Sequence, residues 1–122
     1  MSKDNCPRPE AVTTIRAKND AFRKAGLLPA PGVDGKKVHT SGVAAYSPEA
    51  VADIWRQVAE FEAFTADNDP HQEHDFGAID HPVAGRVFWK IDYYEPSYQY
   101  GAENPADPST KRVLTVMLAE EY

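Results

Sequence analysis

His71, Glu73, His74 and Asp75 fall within a stretch, residues 57–85, that holds seven carboxylates, three of the four histidines and no Lys or Arg. Imidazole beside carboxylate is a ligand set for zinc, manganese or iron, and it is also a pairing that moves protons. As a metal centre the spacing is awkward. On a strand His71 and His74 point to opposite faces, and Pro70 opposes a helix that would bring them together. A loop would have to wrap the ion, drawing on Glu73, Asp75, Asp92 and His81. Paired cysteines, His-Glu-x-x-His and EF-hand spacing are absent. No cofactor is therefore expected, with His71 and His74 the ligands of the alternative. As an acid/base centre, His74 would be oriented by Asp75 or, more easily, by Asp92 from across a hairpin, with Glu73 alongside. Thr40, Ser41 and Ser97 lack the elbow or Gly-rich setting of an activated nucleophile, and no phosphate-cradling loop occurs.

Recognition is the third use of such residues. Asp67, Asp69, Glu73 and Asp75 precede a run of tyrosines (Tyr93, Tyr94, Tyr98, Tyr100) mixed with Glu95 and Glu103. Tyrosine offers contact area at low entropic cost and carboxylates pair with Arg and Lys, so the composition suits a basic protein surface. Stacking platforms for nucleic acid work beside a positive groove, which this segment lacks. The candidate partner-binding set is Asp67, Asp69, Glu73, Asp75, Tyr94, Glu95 and Tyr98, while Tyr93 is expected in the core. Charge is divided along the chain: residues 1–46 carry eight basic and four acidic side chains, residues 47–122 five and fifteen, and the net charge is −6. A general attraction to nucleic acid or anionic lipid is thereby disfavoured.

The elements that must position these groups follow from periodicity. A helix is predicted from about Pro9 to Ala25, with Pro9 in the first turn, Val12, Ile15 and Phe22 inward and Gly26 ending it. Arg16, Lys18, Arg23 and Lys24 are its solvated face. Residues 27–35 read as a loop and 37–44 as a short strand. Ser47-Pro48-Glu49 is a helix start, with Ser as N-cap and Pro at the first helical position. Val51, Ile54, Trp55, Val58 and Phe61 then make one apolar stripe. Residues 86–94 alternate Val87, Trp89, Ile91 and Tyr93 against polar neighbours, which is a strand with one core face, and residues 74–80 can pair with it as a hairpin. Residues 112–118 fit a buried strand better than a helix. The fold class is α+β, two helices packed on a largely antiparallel sheet of about four strands in the order α-β-α-β-β-β.

With 122 residues and 42% hydrophobic content, one domain over residues 9–122 is expected after a tail at 1–8, and a chain of this size buries roughly two-thirds of its unfolded surface. Cys6 has no partner cysteine and is a tail residue, so no disulfide is expected and a reducing compartment is favoured. No run approaches the roughly 18 apolar residues of a membrane span, and the N-terminus lacks an apolar targeting core. A cytoplasmic protein is expected.

The stretches Asn68-Asp69-Pro70, Glu73-His74-Asp75-Phe76-Gly77, Trp89-Lys90-Ile91-Asp92-Tyr93-Tyr94, Arg112-Val113-Leu114-Thr115, Met117-Leu118-Ala119 and Glu121-Tyr122 carry a resemblance. From about Ile15 onward the chain resembles a small bacterial family, domain of unknown function 3768. That resemblance implies a short single-domain protein of plasmids and other mobile elements and brings no catalytic residues. Together with the charge pattern it leads to an acidic inhibitor that docks on a cationic, nucleic-acid-binding host defence protein, of anti-CRISPR or anti-restriction type, as a partial nucleic-acid mimic. The alternative is a small hydrolase or nuclease using His74, Glu73, Asp75 and Asp92, with or without a metal ion. Convergence of the histidines and carboxylates in one pocket would favour the enzyme, and their spread over a convex face the inhibitor.

Overall fold

The computed structural model describes residues 9–122, and the side chains of residues 11–122. Cys6 and the tail reading for 1–8 lie outside the described residues. In chain order the elements are α1 (Pro9–Lys24), β1 (Asp34–His39), a one-turn α2 (Ser41–Ala44), α3 (Pro48–Glu60), β2 (Phe76–His81), β3 (Gly85–Tyr94), β4 (Lys111–Leu118) and a closing 3-10 turn (Ala119–Glu121). The sheet runs β1-β4-β3-β2, antiparallel throughout except for the parallel β1–β4 pair. This is the α+β fold that the periodicity predicts.

α3 starts where its cap requires, since the Ser47 hydroxyl accepts from Ala50 N at 3.1 Å with Pro48 in the first turn. Its stripe buries Ile54, Trp55 and Val58 against Val87, Trp89 and Ile91 of β3 and Leu114 and Val116 of β4. Trp55 also donates its indole N–H to His39 Nδ1 at 3.0 Å, tying α3 to β1. Gly77 on β2 faces Trp89, and a Cβ built there would lie 2.3 Å from the indole nitrogen. Only glycine lets the two strands close over that ring.

Two expectations are corrected. The strand predicted over 37–44 is β1 at 34–39 followed by α2. The Thr40 hydroxyl caps Val43 N and Glu121 accepts from Thr40 and Gly42 N, so the chain leaves the sheet and turns. Arg23 is not on a solvated face. It is 1% exposed, lies over the rings of Phe64 and Trp89, and donates through Nη1 to the carbonyls of Val58 (2.8 Å) and Ala59 (3.1 Å) at the end of α3. A guanidinium there adds donors to the carbonyls of the last turn, of which Val58 O also accepts from Phe61 N, and complements the helix's negative end.

Candidate functional site

The segment between α3 and β2 does not wrap outward. It folds back under α1, and two of its residues take left-handed backbone to do so, Gln72 (φ 59°) and His74 (φ 56°). His74 thereby stacks flat on Phe64, with ring centroids 3.7 Å apart and planes 2° apart. Its Nδ1 lies 2.9 Å from Asp20 of α1, and its Nε2 lies 3.5 Å from Asp69. Asp69 is 5% exposed and accepts from His74 N through its other oxygen at 3.1 Å. Beside this group opens a cleft of about 400 Å³, bordered by Arg16, Thr65, Ala66 and Gln72.

Behind it runs a second, buried network. Arg112 of β4 donates to Asn19 Oδ1 at 2.6 Å and to Pro105 O at 2.9 Å. Asn19 donates to the Glu73 carbonyl at 2.9 Å and to the Tyr93 hydroxyl at 2.8 Å, and Tyr93 donates to the Glu73 carboxylate at 2.8 Å. Burial lowers the Arg112 pKa, and burial raises that of Tyr93. Arg112, Asn19, Tyr93 and Glu73 all find partners within this network, which is the condition for such a network to fix one structure rather than weaken it.

Asp75 stands apart. Burial first, then the neighbouring Glu73 and Asp69 charges, push its carboxyl up to about 6. The other described carboxylates with clear shifts move down, because their own partners satisfy them. Asp53 is held at about 2 by Arg56, Gln57 and His81, Asp80 is lowered by Arg86, and Glu95 is held at about 2 mainly by Ser97, with Gln99 and Tyr100 amides adding.

The residues singled out from the sequence are thus dispersed. His74 meets Asp69, as neither Asp75 nor Asp92 orients its ring; that role falls to Asp20. Asp92 pairs with Lys90 at 3.0 Å, and both belong to the positions of β3 that alternate with its core-facing Val87, Trp89 and Ile91. His71 is exposed. His81 is committed elsewhere, its Nδ1 accepting from Val83 N and Ala84 N in the hairpin turn while Nε2 meets Asp53 at 2.8 Å. Among the described residues, no group of three or more His, Cys, Asp or Glu side chains is arranged to hold a metal ion. Of the partner-binding candidates, Asp67 is exposed, Asp69 and Glu73 are buried, and Tyr94 and Tyr98 are half-buried with ring centroids 6.2 Å apart. Glu95 is occupied by its own loop.

Sequence reasoning missed Asn19, Asp20 and Arg112. Asn19 had a signal, since Ile15, Asn19 and Phe22 share one helical face. Arg112 shares the inward face of β4 with Leu114 and Val116.

No helix of the described residues is long and apolar enough to cross a membrane. No curated protein and no solved structure matches the chain. Residues 39–121 match the family described as Protein of unknown function (DUF3768), a stretch that starts well after Ile15 and leaves Asn19, Asp20 and Arg23 outside it. The cluster therefore joins residues within the matched stretch to residues of α1 before it, and the chain belongs to the DUF3768 family.

Proposed function

We propose that this protein is an inhibitor that presents the acidic end of its sheet to a cationic, nucleic-acid-handling host protein. The observation that carries the reading is the gathering of Asp69, Glu73 and Asp75 where β2 begins and β3 ends, with Asp75 held near 6 by burial and by its neighbours' charge. A partner's Arg or Lys brought to this end would offset the repulsion from Glu73 and Asp69, the part of that shift that comes after burial, and this favours a cationic partner there. Exposed Asp67 and the half-buried Tyr94 provide direct contact, while Tyr98, whose ring already lies under Lys36 at 4.3 Å, supports Tyr94 and buried Asp69 and Glu73 act through their field. An anti-CRISPR or anti-restriction role suits the mobile-element setting that the family resemblance implies.

Competition tests the reading. The protein should displace DNA or RNA from a host nuclease without binding either itself. Displacement should weaken with salt, and Asp67→Lys should slow association. Tight binding of bare duplex by this chain, or displacement indifferent to salt, would overturn it.

A second reading has one observation in its favour. His74 borders the cleft with Nδ1 on Asp20, the orientation of a proton-transferring imidazole, although its Nε2 faces Asp69 at 3.5 Å and would have to leave that carboxylate to meet a substrate. Turnover of a phosphodiester or ester that His74→Gln abolishes, in a variant that still melts cooperatively, would put this reading first.

A further inference from the structure

A second concave surface lies at the C-terminal end of α1, where residues 25–33 fold back toward β1. Phe22, Leu27, Leu28, Ala30 and Val33 line a groove of about 320 Å³ there. Leu27 and Leu28 are 69% and 71% exposed, two adjacent large apolar side chains at the rim of one groove. Lys37 of β1 enters this apolar surface. Its Nζ donates to the carbonyls of Gly26 at 2.5 Å and Leu28 at 2.9 Å and stands 4.6 Å from the centre of the Phe22 ring. Both acceptors are neutral. Among the described residues no carboxylate lies within ion-pair distance of it, and Asp34, which also borders the groove, is paired with Lys111 at 3.0 Å. Burial lowers the Lys37 pKa with no opposing charge nearby. An ammonium has three N–H donors and two are used, which leaves one donor and a full charge beside apolar walls.

We propose that this groove binds a small amphipathic carboxylate, its hydrocarbon body against Leu27, Leu28 and Val33 and its anionic head on Lys37. Charge complementarity selects the head group. The groove stands at the small end of the usual range for ligand clefts, roughly 300–1,000 Å³, so the guest is of medium-chain fatty-acid or aryl-acid size. Capping the end of α1 accounts for the two carbonyl bonds of Lys37; its third donor and the exposed Leu27 and Leu28 beside it are what a guest would engage.

The test titrates the full chain with octanoate, octanol and octylammonium and follows backbone amide shifts over residues 22–37. Octanoate should give saturable shifts there, with octanol about tenfold weaker and octylammonium weaker still, the loss expected when a charge-assisted hydrogen bond is removed. Lys37→Met should reduce octanoate to the level of octanol, and Lys37→Arg, which keeps the cation, should retain the preference. Absence of saturable shifts, equal binding of octanoate and octylammonium by the parent chain, or an undiminished octanoate preference in Lys37→Met overturns the proposal. The comparison of the three ligands on the parent chain decides the matter even where a variant fails to fold.

Discussion

Asp20 and His74, 54 positions apart in the chain, meet at 2.9 Å and fasten the segment after α3 to the first helix. Asp20 also takes Arg23 at 3.2 Å, so one carboxylate joins a cation buried beneath Phe64 to the imidazole stacked upon it. Asp20→Asn should cost about 1.5–3 kcal/mol, the range for hydrogen bonds to charged groups. Hydrogen exchange should show lost protection at residues 69–74 ahead of the sheet. Unchanged protection there would mean that Phe64 stacking alone holds His74.

Asp75 contributes to the pH dependence of stability with a sign opposite to that of the lowered carboxylates Asp53, Asp80, Glu95, Asp107 and Glu121. Its carboxyl rises from 3.8 to about 6 on folding, so between about pH 4 and 6 the folded protein binds the proton more tightly than the unfolded chain does. The contribution of this residue to stability therefore falls as pH rises through that window and is constant above it. Asp75→Asn should remove this residue's share of the slope and stabilise the protein at pH 7 by about 1–2 kcal/mol, less than the full shift because the group is partly exposed. Urea midpoints of parent and variant at several pH values check this, and parallel curves would refute it.

Trp55 is 5% exposed and carries a hydrogen bond to His39. Replacing it with Ala should cost roughly 3–5 kcal/mol, as for other large aromatic truncations in cores. Trp55→Phe, which keeps most of the volume but not the donor, should cost clearly less. A melting temperature for Trp55→Ala within a degree or two of the parent would contradict this packing.

Gly77→Ala sets a methyl against the Trp89 indole, which is fully buried. Overpacking of this kind costs typically about 1–3 kcal/mol. The Trp89 fluorescence should shift as its ring is displaced, and the smaller Trp89→Phe should recover part of the loss in the double variant. Additive losses would place the strain elsewhere.

Local signals settled much of the chain before any tertiary contact was needed. Ser47-Pro48 starts α3 because a hydroxyl cap and a fixed φ act within one turn, and the strand alternation of 86–94 sorts residues between faces because side chains alternate along a strand. The acidic character of 57–85 was equally plain. What the sequence left open was which carboxylates would face water and which would turn inward. Asp69 and Glu73 are buried and bonded while Asp67 is exposed, although all three look alike in a linear reading. Their partners, His74 for Asp69 and Tyr93 with Asn19 for Glu73, come partly from α1 and β3, and Asp20 rather than Asp75 or Asp92 reaches His74. Such pairings are decided by how α1 seats on the sheet. Buried polar groups must find partners wherever the packed elements bring them, and sequence separations of 54 and 93 residues, as for Asn19 with Glu73 and with Arg112, carry no local signature of that choice.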